Sequence, residues 1–225
     1  MKILETKNLS FAYKDGEQNR QILNNVNTSF ETGVFYTILG ASGSGKSTFL
    51  SLIGALEIPQ QGCIEYMGNN INDIGLDKYR RKNIALIFQN YNLITYMTAI
   101  ENVLLAMSIS KESAKIENKE AYHYLSQVGI DYSKANRLVT KLSGGEQQRV
   151  AIARALSTDV DIIIADEPTG NVDQQTSRQI VEIFKNLAHN ENKCIIVVTH
   201  SKEVSDESDV VLFLDTSIQN FVIQV

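Results

Sequence analysis

The stretch that most constrains this chain is Gly40-Ala41-Ser42-Gly43-Ser44-Gly45-Lys46-Ser47-Thr48. The apolar run Val34-Phe35-Tyr36-Thr37-Ile38-Leu39 before it predicts a buried strand, and Phe49-Leu50-Ser51-Leu52-Ile53 after it predicts the first turns of a helix. Strand, glycine loop and helix in that order match G-x-x-x-x-G-K-[ST], a loop that wraps nucleotide phosphates. Its glycines let backbone N–H groups come close to the phosphates, and the helix N-terminus adds the positive end of its dipole. In that geometry Lys46 is expected to reach the β- and γ-phosphates and Ser47 to ligate Mg²⁺. A Gly/Ser turn that ends by chance in Lys-Ser is the competing reading, and the flanking strand and helix weigh against it.

A length of 225 residues suits one large α/β domain, with or without an inserted subdomain. No apolar run approaches the ~20 residues needed to span a bilayer, and the first residues lack the apolar segment of a signal peptide. The expected location is therefore the cytoplasm. A net charge of −5 disfavours nucleic-acid backbone and bare anionic lipid as partners. The one basic cluster, Lys78, Arg80, Arg81 and Lys82, reads as a solvated face. Cys63 and Cys194 form no C-x-x-C pair, so neither a disulfide framework nor a zinc site is indicated. Cys194 opens an apolar strand and reads as a small core residue, and His123 and His189 read as surface residues.

The first thirty residues alternate weakly and predict an antiparallel strand pair broken at Asp15-Gly16. Residues 62–75 predict turns and short strands, and Ile84–Phe88 a buried strand. From about 92 to 157 the pattern is helical, with stretches at Thr98–Met107, Lys111–Val128 closed by Gly129, and Gly144–Leu156. Strands follow at Val160–Ala165 and Cys194–Thr199, with a helix over 174–189 between them. Val210–Leu214 and Phe221–Val225 close the chain as β segments. Strands that alternate with helices predict a doubly wound α/β core whose ligands lie at the carboxyl ends of the strands.

Two further motifs carry chemistry. Ile162-Ile163-Ile164-Ala165-Asp166-Glu167 delivers adjacent carboxylates to the end of a buried strand, where the glycine loop also lies. Asp166 is expected to hold Mg²⁺ and Glu167 to act as general base on the attacking water. Leu142-Ser143-Gly144-Gly145-Glu146 fits the capping box S-x-x-E, which suffices to start a helix. Its paired glycines also expose N–H groups at a helix N-terminus, an anion site if the anion comes from another subunit.

Together the glycine loop, the LSGGE stretch and the IIIADE strand resemble the ATP-binding subunit of ABC transporters over essentially the whole chain. That resemblance implies a P-loop NTPase core, a mainly parallel sheet flanked by helices, with an N-terminal antiparallel β part and an inserted helical subdomain. The single ABC ATPase domain, residues 1–225, then divides into a nucleotide-binding core at 1–91 and 158–225 and a helical subdomain at about 92–157. The resemblance further implies that Gln89 senses Mg²⁺ and γ-phosphate and links to the permease. It makes Tyr13 the aromatic that stacks on adenine, Asn171-Val172-Asp173 the D-loop, and His200 the switch histidine that contacts the γ-phosphate. Two copies are expected to pack head to tail, with ATP between the loop of one and Ser143-Gly144-Gly145-Glu146 of the other.

Within the family, Ala165-Asp166-Glu167-Pro168-Thr169-Gly170-Asn171 and Phe88-Gln89-Asn90-Tyr91-Asn92-Leu93 are similar to the MacB, LolD and FtsE branch. They look most like streptococcal Vex-type and Gram-positive peptide-resistance exporters. The implied partner is a separate FtsX/MacB-like permease that holds the chain on the inner face of the cell membrane without lipid insertion. Val172 stands where the family has leucine, and the closing hairpin reads Thr216-Ser217-Ile218 where a glycine is expected. Competing readings are the ATPase of an importer, a non-transport ABC ATPase, and a binding module without turnover. Against the non-transport ATPase stands the lack of zinc cysteines or a tandem cassette. Against the binding module stands Glu167.

Overall fold

The computed structural model describes residues 1–16, 18–110 and 117–223. Strands β1 (Lys2–Asp15) and β2 (Gln18–Glu31) form the expected antiparallel pair, with register shifts along it. Next come β3 (Phe35–Leu39) and α1 (Lys46–Ile53), which flank the glycine loop. Then β4 (Gln61–Tyr66) and β5 (Asn69–Asn70) pair antiparallel.

The end of the 62–75 stretch is not strand or turn. It forms α2 (Ile71–Ile74), started by the Asn70 side chain, which accepts from the Asn72 backbone N–H. Helix α3 (Leu76–Lys82) follows. Its single fully buried residue, Tyr79, donates its hydroxyl to the Ile53 carbonyl at 3.0 Å, and burial holds the phenol neutral. One anchoring aromatic leaves little periodic signal in the sequence. The basic cluster closes this helix and is only partly a solvated face. Arg80 pairs with Asp77 and donates to the Ala55 carbonyl, while Lys82 donates to the Ser110 carbonyl.

Strand β6 (Ile84–Ile87) leads to the helical block of α4 (Ala99–Ser110), α5 (Asn118–Gln127), α6 (Tyr132–Ala135) and α7 (Gly144–Leu156). Of the helix expected over Lys111–Val128, residues 111–116 lie outside the described residues. Gly129, just past α5, takes φ of 74°, the left-handed angle expected of a closing glycine. The chain ends with β7 (Ile162–Asp166), α8 (Gln174–His189), β8 (Cys194–Val198), α9 (Lys202–Asp206), β9 (Val210–Asp215) and β10 (Asn220–Ile223). Gln224 and Val225 of the last expected strand lie outside the described residues.

Two sheets result. The smaller is antiparallel in the order β2-β1-β4-β5. The larger has the order β10-β9-β3-β8-β7-β6, all parallel except β10. Its central strands are apolar on both faces, so each packs on both sides. Ile163, Ala165, Ile195 and Val197 join the cluster formed with α4, α5, α7 and α8. Their neighbours Ile162, Ile164, Cys194 and Ile196 face the cluster formed with α1 and the antiparallel sheet. Cys194 is the buried core residue that the sequence predicted.

The missing hairpin glycine is replaced by side-chain chemistry. Asp215 accepts from the Ser217 N–H at 2.7 Å and from its hydroxyl at 2.6 Å, and Gln219 adopts φ of 54°. His189 is exposed at the end of α8, as expected of a surface residue, and its Nε2 lies 3.0 Å from Asp209, just before β9. No helix among the described residues is long and apolar enough to cross a membrane.

Candidate functional site

Parallel pairing brings the carboxyl ends of β3, β8, β7 and β6 to one edge of the larger sheet. The segments that leave those ends are the Gly40–Thr48 loop, Thr199-His200, Asp166-Glu167 and Gln89. Four stretches far apart in sequence thus share one site.

The loop wraps back on itself. Lys46 is buried, and its ammonium donates to the carbonyls of Gly40 at 2.8 Å and Ala41 at 2.9 Å. Burial pulls that ammonium below its ordinary pKa, while Glu167 and Asp166 oppose the shift. Gly45 precedes α1 with φ of 102°, and a Cβ there would stand 2.6 Å from Ile22 Cγ2. The position therefore needs glycine on both backbone and packing grounds. No side chain caps α1, so its first N–H groups are left for an external anion. Ser44 Oγ is buried without a hydrogen-bond partner. Tyr13 stands exposed at the end of β1, edge-on to Phe11, with its hydroxyl 3.4 Å from Thr48 Oγ1. It is not a core aromatic.

Asp166 ends β7 beside Ser47. Burial raises its carboxyl pKa, and a hydrogen bond from the Ser47 hydroxyl pulls it back. The two residues line one small cavity with Leu86 and Phe88. Glu167 follows with φ of 47°, a left-handed angle uncommon outside glycine. Its Oε2 accepts from Thr199 Oγ1 at 3.0 Å and from the His200 backbone N–H at 3.4 Å. Its Oε1 is buried without a hydrogen-bond partner and faces His200 Nε2 at 3.5 Å. The carboxylate and the imidazole border an open cleft of about 510 Å³ with Gly170 and Val172. Gln89 is exposed at the edge of this site. Its backbone carbonyl accepts from Asn171 Nδ2 at 3.3 Å, and its Nε2 lies 3.5 Å from where a Cβ on Gly170 would stand.

Ser143, Gly144, Gly145 and Glu146 do not join the Lys46 loop. The nearest neighbours of a Cβ at Gly144 are Tyr91 and Asn171, and at Gly145 Thr176. The capping box is complete: Ser143 Oγ accepts from the Glu146 N–H, and Glu146 Oε2 accepts from the Ser143 N–H. Asp173 caps α8, accepting from the Thr176 N–H and hydroxyl at 3.0 and 2.6 Å. Sequence reading had assigned no role to Thr199, Tyr91 or Arg154. Thr199 left a signal, a hydroxyl directly before His200 at the end of a strand. Arg154 reaches across the fold to the carbonyls of Tyr91 and Asn92, and nothing local announces that.

A glycine loop between a central parallel strand and a helix, with a carboxylate pair at the end of a neighbouring strand, defines a phosphate-loop nucleotide hydrolase. A family model described as ABC transporter matches residues 23–170, and the chain belongs to that family as one of its ATPases. It is 46% identical over 212 residues to the uncharacterized ABC transporter ATP-binding protein YclH of Bacillus subtilis, covering 93% of this chain and 92% of YclH. It is 37% identical over 217 residues to the lipoprotein-releasing system ATP-binding protein LolD of Coxiella burnetii, covering 95% of this chain and 93% of LolD. The solved dimer of the ATP-binding cassette MJ0796 in a post-hydrolysis state, bound to ADP and Pi, superposes with a TM-score of 0.91 at 36% identity, covering 99% of this chain and 98% of that one. That cassette comes from Methanocaldococcus jannaschii.

Proposed function

We propose that this ATPase is the motor of an exporter or FtsX/MacB-type membrane complex, working as a head-to-tail dimer beneath a separate permease. Support for the dimer comes from the dimeric MJ0796 cassette and from the place of Ser143–Glu146, away from the Lys46 loop of its own chain. Each ATP then lies between the Gly40–Thr48 loop of one protomer and the start of α7 in the other. Tyr13 stacks on the adenine, and Asp173 sits at the crossing of the two protomers. Likeness to LolD and the Gly170-Asn171 pair favour export over import, within the Vex-type and peptide-resistance branch.

In this mechanism Lys46 stabilises charge on the β- and γ-phosphates, and His200 contacts the γ-phosphate. Glu167 orients the attacking water. The water oxygen bonds to the γ-phosphorus, the bond to the bridging oxygen of ADP breaks, and the water proton passes to the carboxylate. The observation that carries this role is the asymmetry of Glu167: Oε2 is held by Thr199 and His200 N–H, while Oε1 has no hydrogen-bond partner. Ser47, Asp166 and Gln89 offer hydroxyl, carboxylate and amide oxygens, a hard donor set suited to Mg²⁺. When bound, that ion neutralises phosphate charge.

Glu167→Gln is the test. It is expected to bind ATP, to lose turnover by at least about 10²-fold, and to accumulate an ATP-bound dimer. Hydrolysis near the wild-type rate, followed by phosphate release, would remove Glu167 from the role of base.

A further inference from the structure

A cavity of about 650 Å³ lies between the end of α5, the second turn of α7 and the first half of α8. It is apart from the Lys46 loop, and its size falls within the range of small-molecule sites, about 300–1,000 Å³. Arg149 of α7 and Arg178 of α8 both line it. The Arg149 side chain is half-buried, and its Nη1 makes only a long contact to Gln179 Oε1, at 3.4 Å. Its Nε is buried without a hydrogen-bond partner. A buried donor left open costs free energy that a bound acceptor recovers. Arg178 is exposed and engages no partner among the described residues. Glu182 is the one carboxylate on the wall, and among the described residues it pairs with neither guanidinium. The walls thus carry two positive charges against one negative, in a chain whose net charge is −5. The end of α8 is not itself the attraction, because Asp173 already caps it.

We propose that this groove is a binding site for a small molecule that bears a carboxylate or phosphate group, held by Arg149 and covered by Arg178. The planar guanidinium presents its donors as a fork that matches two oxygens of either group. The open Nε of Arg149 is one tine of that fork. Gln127, Gln175 and Gln179 line the same cavity and offer amide donors and acceptors to the polar body of the ligand, while Val128 and Ile183 supply an apolar side. Gln174 joins the groove to the catalytic cleft, because it lines both and its Nε2 donates to Glu203 at 2.7 Å. A ligand in the groove therefore lies one side chain away from the cleft that Glu167 and His200 border.

The experiment uses the full chain saturated with MgADP, so that the Lys46 loop is occupied. Malonate and inorganic phosphate are the two probes, titrated separately at about 0.15 M KCl to screen loose ion pairing. Proton–nitrogen NMR follows the Arg149 Nε–H and the backbone N–H groups of Val128 and Gly129. At least one probe is expected to shift these signals saturably, with a Kd of about 1 mM or below. The probe that binds more tightly names the oxyanion. Arg178→Gln, a change on an exposed helix face, is expected to weaken binding about tenfold, the loss of one charge-assisted contact. Arg149→Lys keeps the charge and removes the fork, and is expected to abolish saturation at Val128 and Gly129. Shifts that grow without saturating for both probes, or that added KCl reproduces, overturn the proposal. So does saturable binding that Arg178→Gln and Arg149→Lys both leave intact, because the anion is then seated elsewhere. Should Arg149→Lys fail to fold, Arg178→Gln and the wild-type Arg149 Nε–H signal decide the matter by themselves.

Discussion

Glu167 shows how little of a side chain's chemistry is its own. Its left-handed backbone turns the carboxylate off the end of β7, and Thr199, just past the end of the adjacent strand β8, holds one oxygen. A hydrogen bond to a charged acceptor contributes about 1.5–3 kcal/mol, so its loss is readily measured. Thr199→Val keeps the shape and removes the donor. It is expected to lower the maximal ATPase rate by about 10- to 100-fold while Thr199→Ser retains most of it. Equal rates for the valine and wild-type proteins would mean that Glu167 is oriented by something else. The glycine loop, Asp166 and Glu167 were legible because each is a short run with a strong local pattern. Thr199 was not, because its importance arises from a partner on another strand.

At the scale of the element, two helix N-termini are built for different purposes. Helix α1 begins at Gly45 with no side-chain cap, whereas α7 begins with the reciprocal Ser143–Glu146 box. Glu146 also pairs with Lys134 of α6 at 3.1 Å. Its carboxyl pKa is held below the ordinary value of 4.5, first by the Ser143 backbone N–H and further by Lys134. A carboxylate whose pKa is depressed by folding stabilises the fold above its unfolded pKa. That contribution is lost as pH falls through the folded value. The melting temperature of wild type is therefore expected to exceed that of Glu146→Gln above the ordinary carboxylate value of 4.5, and the gap to close as pH falls below it. A gap that stays constant across that range would assign the effect to packing rather than charge. The elements with long periodic patterns, α7 and α8 above all, emerged from the sequence with their observed bounds. Helix α3 did not, because one buried tyrosine anchors it and its basic last turn looked like exposed surface.

Across the whole molecule, the C-terminal hairpin is tied to the nucleotide loop from behind. Phe221 packs edge-on against Phe49 of α1 with ring centroids 4.8 Å apart. The Gln219 carbonyl accepts from the Asn24 N–H at 3.0 Å, and Asn220 reaches the Asn25 carbonyl at 3.2 Å. The hairpin therefore braces both α1 and β2, whose Ile22 sits over Gly45. Phe221→Ala is expected to cost about 1–3 kcal/mol in urea denaturation, the loss of a half-buried aromatic contact. It is also expected to weaken ATP binding, because α1 loses its support. Full stability in that variant would show that the hairpin packs without bracing the loop.

The amino-acid sequence by itself determined the core strands, the long helices α7 and α8, the glycine loop, the carboxylate pair and the membership of the chain in its family. These follow from backbone preference and from apolar periodicity over a few neighbouring residues. Only the tertiary structure decided that Thr199 holds Glu167, that Arg154 grips the Tyr91 and Asn92 carbonyls, and that Asp215 with Ser217 closes a hairpin without glycine. The first two pairings join residues 32 and 63 or 62 positions apart, and they exist because parallel strand order and helix packing bring them together. In the third, a left-handed Gln219 became tolerable once the rest of the fold held its neighbours in place.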